Sequence, residues 1–164
     1  MPNERSNTVG NELRFSRLLD APIRLVWDVW VDPEHIKNWW GPAGFRNTIK
    51  EMDLRPGAEW ILVMHGPDGR NYDVKCIFRE IVKYERIVYE QLAPFKYVAR
   101  IEFERRNKKT FIDWTMLFES KEYLIQTAKT FGVEEGFKQN AERLVRYLLR
   151  FTPTKNDKEQ NDKT

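Results

Sequence analysis

DAPIRLVWDVWVDPEHIKNWWGPAGF, residues Asp20 to Phe45, holds four of the six tryptophans of the chain: Trp27, Trp30, Trp39 and Trp40. Ile23, Val26, Trp27 and Trp30 recur at i, i+3, i+4 and i+7, which sets them on one face of a helix. Pro22 and Pro33 suit the first turn of a helix, where the missing N–H would have had no partner. Asp32 just before Pro33 predicts an N-cap for a second short helix running to Trp39, which Gly41-Pro42 ends. Two short helices, angled at Val31-Asp32-Pro33, thus push indole surface toward another layer.

On either side of this stretch the pattern changes to a period of two. Glu12 to Leu19 alternates as a first strand, and Phe45 to Leu54 reads as a second, closed by Arg55-Pro56-Gly57. Ala58–His65 and Arg70–Val82 flank Gly66-Pro67-Asp68-Gly69, a loop of hairpin composition. In the latter run Tyr72, Val74, Cys76 and Phe78 alternate with polar residues, so one face is buried. Arg86–Leu92, Tyr97–Arg106 and Thr110–Phe118 complete a meander, with Ile112, Trp114, Met116 and Phe118 on one face. Ser120 caps a helix that reaches Lys129 and is interrupted at Gly132. A last helix, about Val133 to Phe151, carries an apolar stripe of Phe137, Ala141, Leu144 and Leu148, widened by Val145 and Leu149. Residues 1–11 and 152–164 are polar and without period, and are expected to be disordered tails around one domain at 12–151.

The order is strand, two short helices, six strands, long helix: an α+β chain. A curved antiparallel sheet of about seven strands must cover one face, and the terminal helix carries the longest apolar stripe available. Such a sheet curls, and one helix leaves space at an end of its concave side. The Trp39-Trp40-Gly41-Pro42 corner is expected to close that space.

A length of 164 residues fits a single domain, and 41% hydrophobic residues suffice for a core. The aromatic share of 13% favours a core of wide, flat side chains that leave irregular spaces. Lys and Arg number 28 against 25 Asp and Glu, a net charge of +3 too small to imply a polyanion such as nucleic acid. The charged run Arg105-Arg106-Asn107-Lys108-Lys109 reads as a solubilising turn. Cys76 is the only cysteine, and His35 and His65 lie far apart, so no disulfide and no metal-ligand spacing is present. No apolar run is long enough to span a bilayer and no signal peptide is visible, so a cytoplasmic protein without cofactor is expected.

Ala21-Pro22, Val26-Trp27, Trp30, Asp32-Pro33-Glu34-His35, Trp39-Trp40-Gly41-Pro42 and Gly44-Phe45 together form a spaced motif. It resembles that of the activator of 90-kDa heat-shock protein ATPase homologue family, of the Aha-type C-terminal domain. That family lies in the START-like (SRPBCC), Bet v 1-like superfamily. The likeness continues in Arg55-Pro56-Gly57-Ala58-Glu59-Trp60, Pro67-Asp68-Gly69-Arg70-Asn71-Tyr72, Phe78-Arg79-Glu80-Ile81 and Glu85-Arg86-Ile87-Val88. It ends in Glu135-Gly136-Phe137, and so spans roughly Leu13 to Leu149. The resemblance implies a helix-grip fold with a cavity between sheet and terminal helix, while fold membership does not fix one chemistry.

The expected cavity wall is Trp60, Leu62 and Met64 from one strand, and Val74, Cys76 and Phe78 from the next. Trp114 and Met116 come from the last strand, and Phe137, Ala141 and Leu144 face them from the helix. Periodicity alone equally allows these side chains to pack solid, whereas the resemblance implies a hollow. Trp39 and Trp40 are candidate gates, of which neighbouring directions let only one face inward. Glu80 shares a strand side with Cys76 and Phe78, so a bulge, an ion pair with an arginine, or a polar contact inside the pocket must accommodate it. Three functions stay open. The first is a binding protein for a small apolar or amphipathic molecule. The second, implied by the resemblance, is a protein-interaction module contacting the 90-kDa chaperone, although the likeness covers only one half of the eukaryotic activators. The third is a hydrolase, cyclase or dehydratase with acid–base candidates limited to Glu80, Asp113, tyrosines and the two histidines, and with no recognisable catalytic spacing. A homodimer through a sheet edge or the helix pair is compatible with all three.

Overall fold

Eight strands and four helices account for residues 4–151, the part of the chain described by the structure, a computed structural model. In chain order they are β1 (Glu4–Val9), β2 (Glu12–Leu19), α1 (Ile23–Val31), α2 (Pro33–Ile36), β3 (Arg46–Met52) and β4 (Glu59–His65). Then follow β5 (Asn71–Val82), β6 (Arg86–Ala93), β7 (Tyr97–Arg106), β8 (Lys109–Leu117), α3 (Lys121–Phe131) and α4 (Val133–Leu149). The strands form one antiparallel sheet in the order β1-β2-β8-β7-β6-β5-β4-β3.

That order explains the place of the helix pair. β3 to β8 run as a meander, but β2 lies beyond β8, so the chain leaving β2 must cross the sheet to begin β3 at the far edge. Six inter-strand steps of ~4.8 Å amount to nearly 30 Å. α1 and α2 make that crossing over the concave face. Ile23, Val26, Trp27 and Trp30 are all buried, as their spacing predicts. Trp30 meets Trp114 of β8 edge to face at 4.7 Å between ring centroids, and Trp27 meets Phe103 of β7 at 5.2 Å. Burying one such side chain favours folding by roughly 1.5–3 kcal/mol, so this face anchors α1 to the sheet. Thr110 Oγ1, fully buried, donates to Ala21 O at 2.8 Å where the chain turns into α1.

Asp32 caps α2, its carboxylate accepting from Glu34 N at 2.9 Å, with Pro33 in the first turn. The helix is shorter than its sequence pattern suggests. It stops at Ile36, and Trp39 and Trp40 continue in turns whose N–H groups return to Ile36 O.

The sheet holds one strand more than the pattern implies. The polar run before Glu12 predicts a disordered tail, yet Glu4–Val9 pairs in register with β2, Glu4 opposite Arg17 and Val9 opposite Glu12. Ladder hydrogen bonds use only the backbone, so an edge strand needs no apolar alternation, and none was there to read. The expected tail 152–164 lies outside the described residues. Register shifts at Ile49/Glu51, Lys75/Cys76 and Phe78/Glu80 bend their strands and add twist, curling the sheet around α4. The last of them also settles Glu80. Phe78 stays inside, while Glu80 turns to a half-exposed site and pairs with Arg86, so bulge and ion pair act together.

Ser120 Oγ accepts from Tyr123 N at 3.0 Å to cap α3, and Gly132 in the left-handed region (φ 65°) separates α3 from α4. α4 buries Val133, Phe137, Asn140, Ala141, Leu144, Tyr147 and Leu148. Leu149, expected to widen the stripe, is instead 61% exposed at the last residue of α4. An antiparallel sheet curled around a long C-terminal helix is the helix-grip arrangement.

Candidate functional site

Between α2 and β3 the chain makes the corner Trp39-Trp40-Gly41-Pro42-Ala43-Gly44-Phe45, and its two indoles diverge. Trp39 is wholly buried against Trp30, its Nε1 donating to Val29 O at 3.0 Å. Trp40 turns to the sheet, edge to face with Trp60 (5.0 Å) and stacked near Trp114 (5.9 Å). Gly41 permits the turn: its φ is +90°, and a Cβ there would come within 2.7 Å of the Met64 methyl.

α4 grips this corner with three polar side chains, at i, i+1 and i+4, that share one side of the helix. Gln139 Oε1 accepts from Ala43 N, and Asn140 Nδ2 donates to Trp39 O, both at 3.0 Å. Arg143 makes the larger contribution. Its Nη1 donates to the carbonyls of Trp40, Gly41 and Pro42 (2.8–2.9 Å), and its Nη2 to those of Asn38 and Phe45 (3.1 Å). Burial draws the guanidinium pKa down from its ordinary value, yet five carbonyl dipoles converge on the charge. No carboxylate pairs with it among the described residues.

Under the corner lies a pocket of about 410 Å³. Its floor is the concave face of the sheet, with Met64 of β4, Tyr72 and Val74 of β5, Tyr89 and Gln91 of β6, Tyr97 of β7, and Trp114 and Met116 of β8. Trp40, Pro42 and Phe45 close one side and Phe137 and Asn140 of α4 another. Pro94, Phe131, Gly132 and Glu135, all exposed, line the rim toward solvent. Tyr89 and Tyr97 place their hydroxyls 2.9 Å apart inside the wall. Burial pushes both phenols well above their ordinary pKa, so both keep their protons at neutral pH.

Six of the thirteen residues expected at a cavity line this pocket: Trp40, Met64, Val74, Trp114, Met116 and Phe137. Trp39, Trp60, Leu62, Cys76, Phe78, Ala141 and Leu144 do not; all are packed in the core. Trp60 and Phe78 stack at 5.9 Å with planes 8° apart and fill their end of the concave face together with Trp40. The small side chain of Ala141 leaves no room either, being fully covered by its neighbours. The hollow is therefore at the other end, toward the β6–β7 turn and the α3–α4 junction. Tyr89, Gln91 and Tyr97 escaped the sequence pattern, although Ile87, Tyr89 and Gln91 do alternate on β6, and a glutamine on an inward position is a readable sign. Arg143 gave no such sign.

The acid–base candidates are dispersed. Asp113 accepts from Arg14 on the outer face of the sheet (2.7 and 2.9 Å), and Glu80 pairs with Arg86. His35 Nδ1 bonds the Tyr147 hydroxyl at 2.8 Å, tying α2 to α4, and His65 sits between Thr48 and Asn71. None of these four lines the pocket, whereas Tyr72, Tyr89 and Tyr97 do. Among the described residues no group of three or more His, Cys, Asp or Glu is placed to hold a metal ion, and no helix is long and apolar enough to cross a membrane.

Solved structures share this architecture at low identity. A protein from Arthrobacter aurescens is similar with a TM-score of 0.80 and 23% identity, over 90% of this chain and 91% of that one. A protein from Mycobacterium smegmatis gives 0.77 and 21%, over 91% and 98%. An AHSA1-like protein from Aeromonas hydrophila gives 0.66 and 18%, over 84% and 92%. At such identities the likeness establishes the fold alone. No curated protein matches the chain at a significant level. The family model described as "Activator of Hsp90 ATPase homolog 1-like protein" matches residues 20–149, from the residue before Ala21-Pro22 to the last residue of α4. The motif that crosses the sheet, the strands that floor the pocket and the helix that grips the corner all fall within that match, and the chain belongs to this family.

Proposed function

We propose that the protein binds a small, mainly apolar molecule in the pocket beneath the Trp39–Phe45 corner. The observation that carries this reading is a hollow of about 410 Å³ floored by aromatic and aliphatic side chains, with a few polar groups set into its wall. Pockets of a few hundred Å³ with that lining are the usual form of small-molecule sites. At ~30 Å³ per atom group the volume suits a ligand of roughly a dozen non-hydrogen atoms. The binding residues in this reading are Trp40, Met64, Val74, Trp114, Met116 and Phe137, with Tyr89, Gln91 and Tyr97 as the polar contacts. Trp40 and Trp114 make the test direct, since a ligand beside them alters tryptophan fluorescence. Freshly purified protein in native mass spectrometry, followed by titration with apolar ligands, should give retained mass or saturable quenching, and Val74→Trp should block both by filling the pocket. No retained ligand, and no quenching by any apolar compound, would sink the reading.

A second reading, a module that stimulates the 90-kDa chaperone ATPase, is favoured by the family description alone. An ATPase assay with the purified chaperone from the same cell tests it, and an unchanged rate at saturating protein removes it.

A further inference from the structure

We infer, building on the binding reading above, that the pocket selects an uncharged ligand whose head group both donates and accepts a hydrogen bond, such as an alcohol or a primary amide, and disfavours carboxylates. Three polar side chains of the wall, Tyr89, Gln91 and Tyr97, are gathered at one place, while Tyr72, Gln139 and Asn140 border the pocket from other elements. Tyr89 and Gln91 are two residues apart on β6 and so share its inner face, and Gln91 lies directly opposite Tyr97 of β7. Opposed residues in such a pair have Cβ atoms ~5 Å apart. All three side chains are more than nine-tenths buried and all line the pocket.

Their hydrogen bonds leave a defined remainder. The two phenols hold two protons and share one bond between them, so one O–H has no acceptor among the described residues. Gln91 Nε2 donates to Phe95 O at 2.9 Å, while its Oε1 receives no donor among the described residues. This cluster thus offers one donor and one acceptor side by side. A hydroxyl or a carboxamide on the ligand satisfies both, and a bare hydrocarbon satisfies neither.

The charges around the pocket argue against an anion. No lysine, arginine or histidine is among the residues of its wall, and Glu135 stands at its rim. Arg143, on the same helix, directs its guanidinium at the five corner carbonyls. A carboxylate entering the pocket would lose its water without gaining a counter-charge, and would pass a like charge on the way.

The experiment titrates the full chain with 1-decanol, decanamide and decanoate, following tryptophan quenching, with naphthalene as an apolar probe that has no head group. At pH 8 the alcohol and amide should bind at least tenfold more tightly than decanoate. That gap should close as pH falls toward the ordinary carboxyl pKa of about 4–5. Tyr97→Phe and Gln91→Leu should each weaken decanol several-fold more than they weaken naphthalene. The ligand comparison needs no variant, so a misfolded substitution does not spoil the test. Decanoate binding as well as decanol at pH 8, or variants that leave decanol unaffected, overturns the head-group selection while the pocket reading stands. If naphthalene and the three amphiphiles all fail to bind, both fall.

Discussion

Arg143→Met removes the guanidinium and keeps an apolar stem of similar reach, so it isolates the grip of α4 on the corner. Five N–H···O contacts of 2.8–3.1 Å are lost. Hydrogen bonds to a charged group each contribute roughly 1.5–3 kcal/mol, but a plain sum overstates the loss. Nη1 serves three carbonyls and Nη2 two, so the bonds are shared. Water reaches part of the site, since Arg143 is only half-buried, and losing the charge also relieves its desolvation. Breaking one partner of a buried charged network costs about 3–5 kcal/mol; half-burial brings that to about 2–4 kcal/mol. For a chain of this size each kcal/mol moves Tm by about 2–4 °C, so a loss near 3 kcal/mol should lower Tm by about 6–12 °C. Chemical denaturation measures the free energy directly. Arg143→Lys should recover less than half, because an ammonium offers three donors from a single point and cannot fork between five carbonyls. A Met variant within about 0.5 kcal/mol of the parent would falsify the idea that this side chain holds the corner closed.

Gly41→Ala should destabilise the fold by about 1–2 kcal/mol, since φ +90° is strained for any residue with a Cβ. The same Cβ meets the Met64 methyl at 2.7 Å, and displacing that flexible end into the pocket should weaken ligand binding, readable by titration on the folded variant. Burial pulls the Glu102 carboxyl upward, but hydrogen bonds and charge from Arg100 and Arg86 outweigh it and hold its pKa below the ordinary value. The stabilisation is therefore present above the ordinary carboxylate range and lost as pH falls through the lowered folded pKa; Glu102→Gln should flatten that acid limb in denaturation midpoints measured from pH 7 to pH 3. Burial likewise pushes the Cys76 thiol well above its usual range. Its labelling by a thiol reagent at pH 8 should follow global unfolding, rising with denaturant in step with circular dichroism; fast labelling of the native protein would contradict the burial.

Much of the architecture was legible because it rests on near neighbours in the chain. The i, i+3, i+4, i+7 spacing of Ile23, Val26, Trp27 and Trp30, the Asp32 and Ser120 caps and the break at Gly132 each involve residues within about two turns of one another. Alternation along β5 and β8 likewise named the inward side chains without any partner strand in view. Where locality failed, so did the pattern. β1 pairs with β2 through a backbone ladder, which leaves no mark on residue type, and the shared face of Cys76, Phe78 and Glu80 is broken by a register shift that arises between two strands.

The sequence by itself determined the elements from β2 onward, their order, and the fact that one of the paired indoles must turn away from the other. Only the tertiary structure decided which end of the curled sheet is hollow. Trp40, Trp60 and Phe78 meet across three separate segments and fill one end, while Tyr89, Gln91 and Tyr97 are left bordering the other. Whether a space stays open depends on the summed volume of side chains that converge from distant segments. The capture of the corner by Arg143, about a hundred residues further along the chain, belongs to the same class. Periodicity tells which way a side chain faces; it carries no record of what waits there.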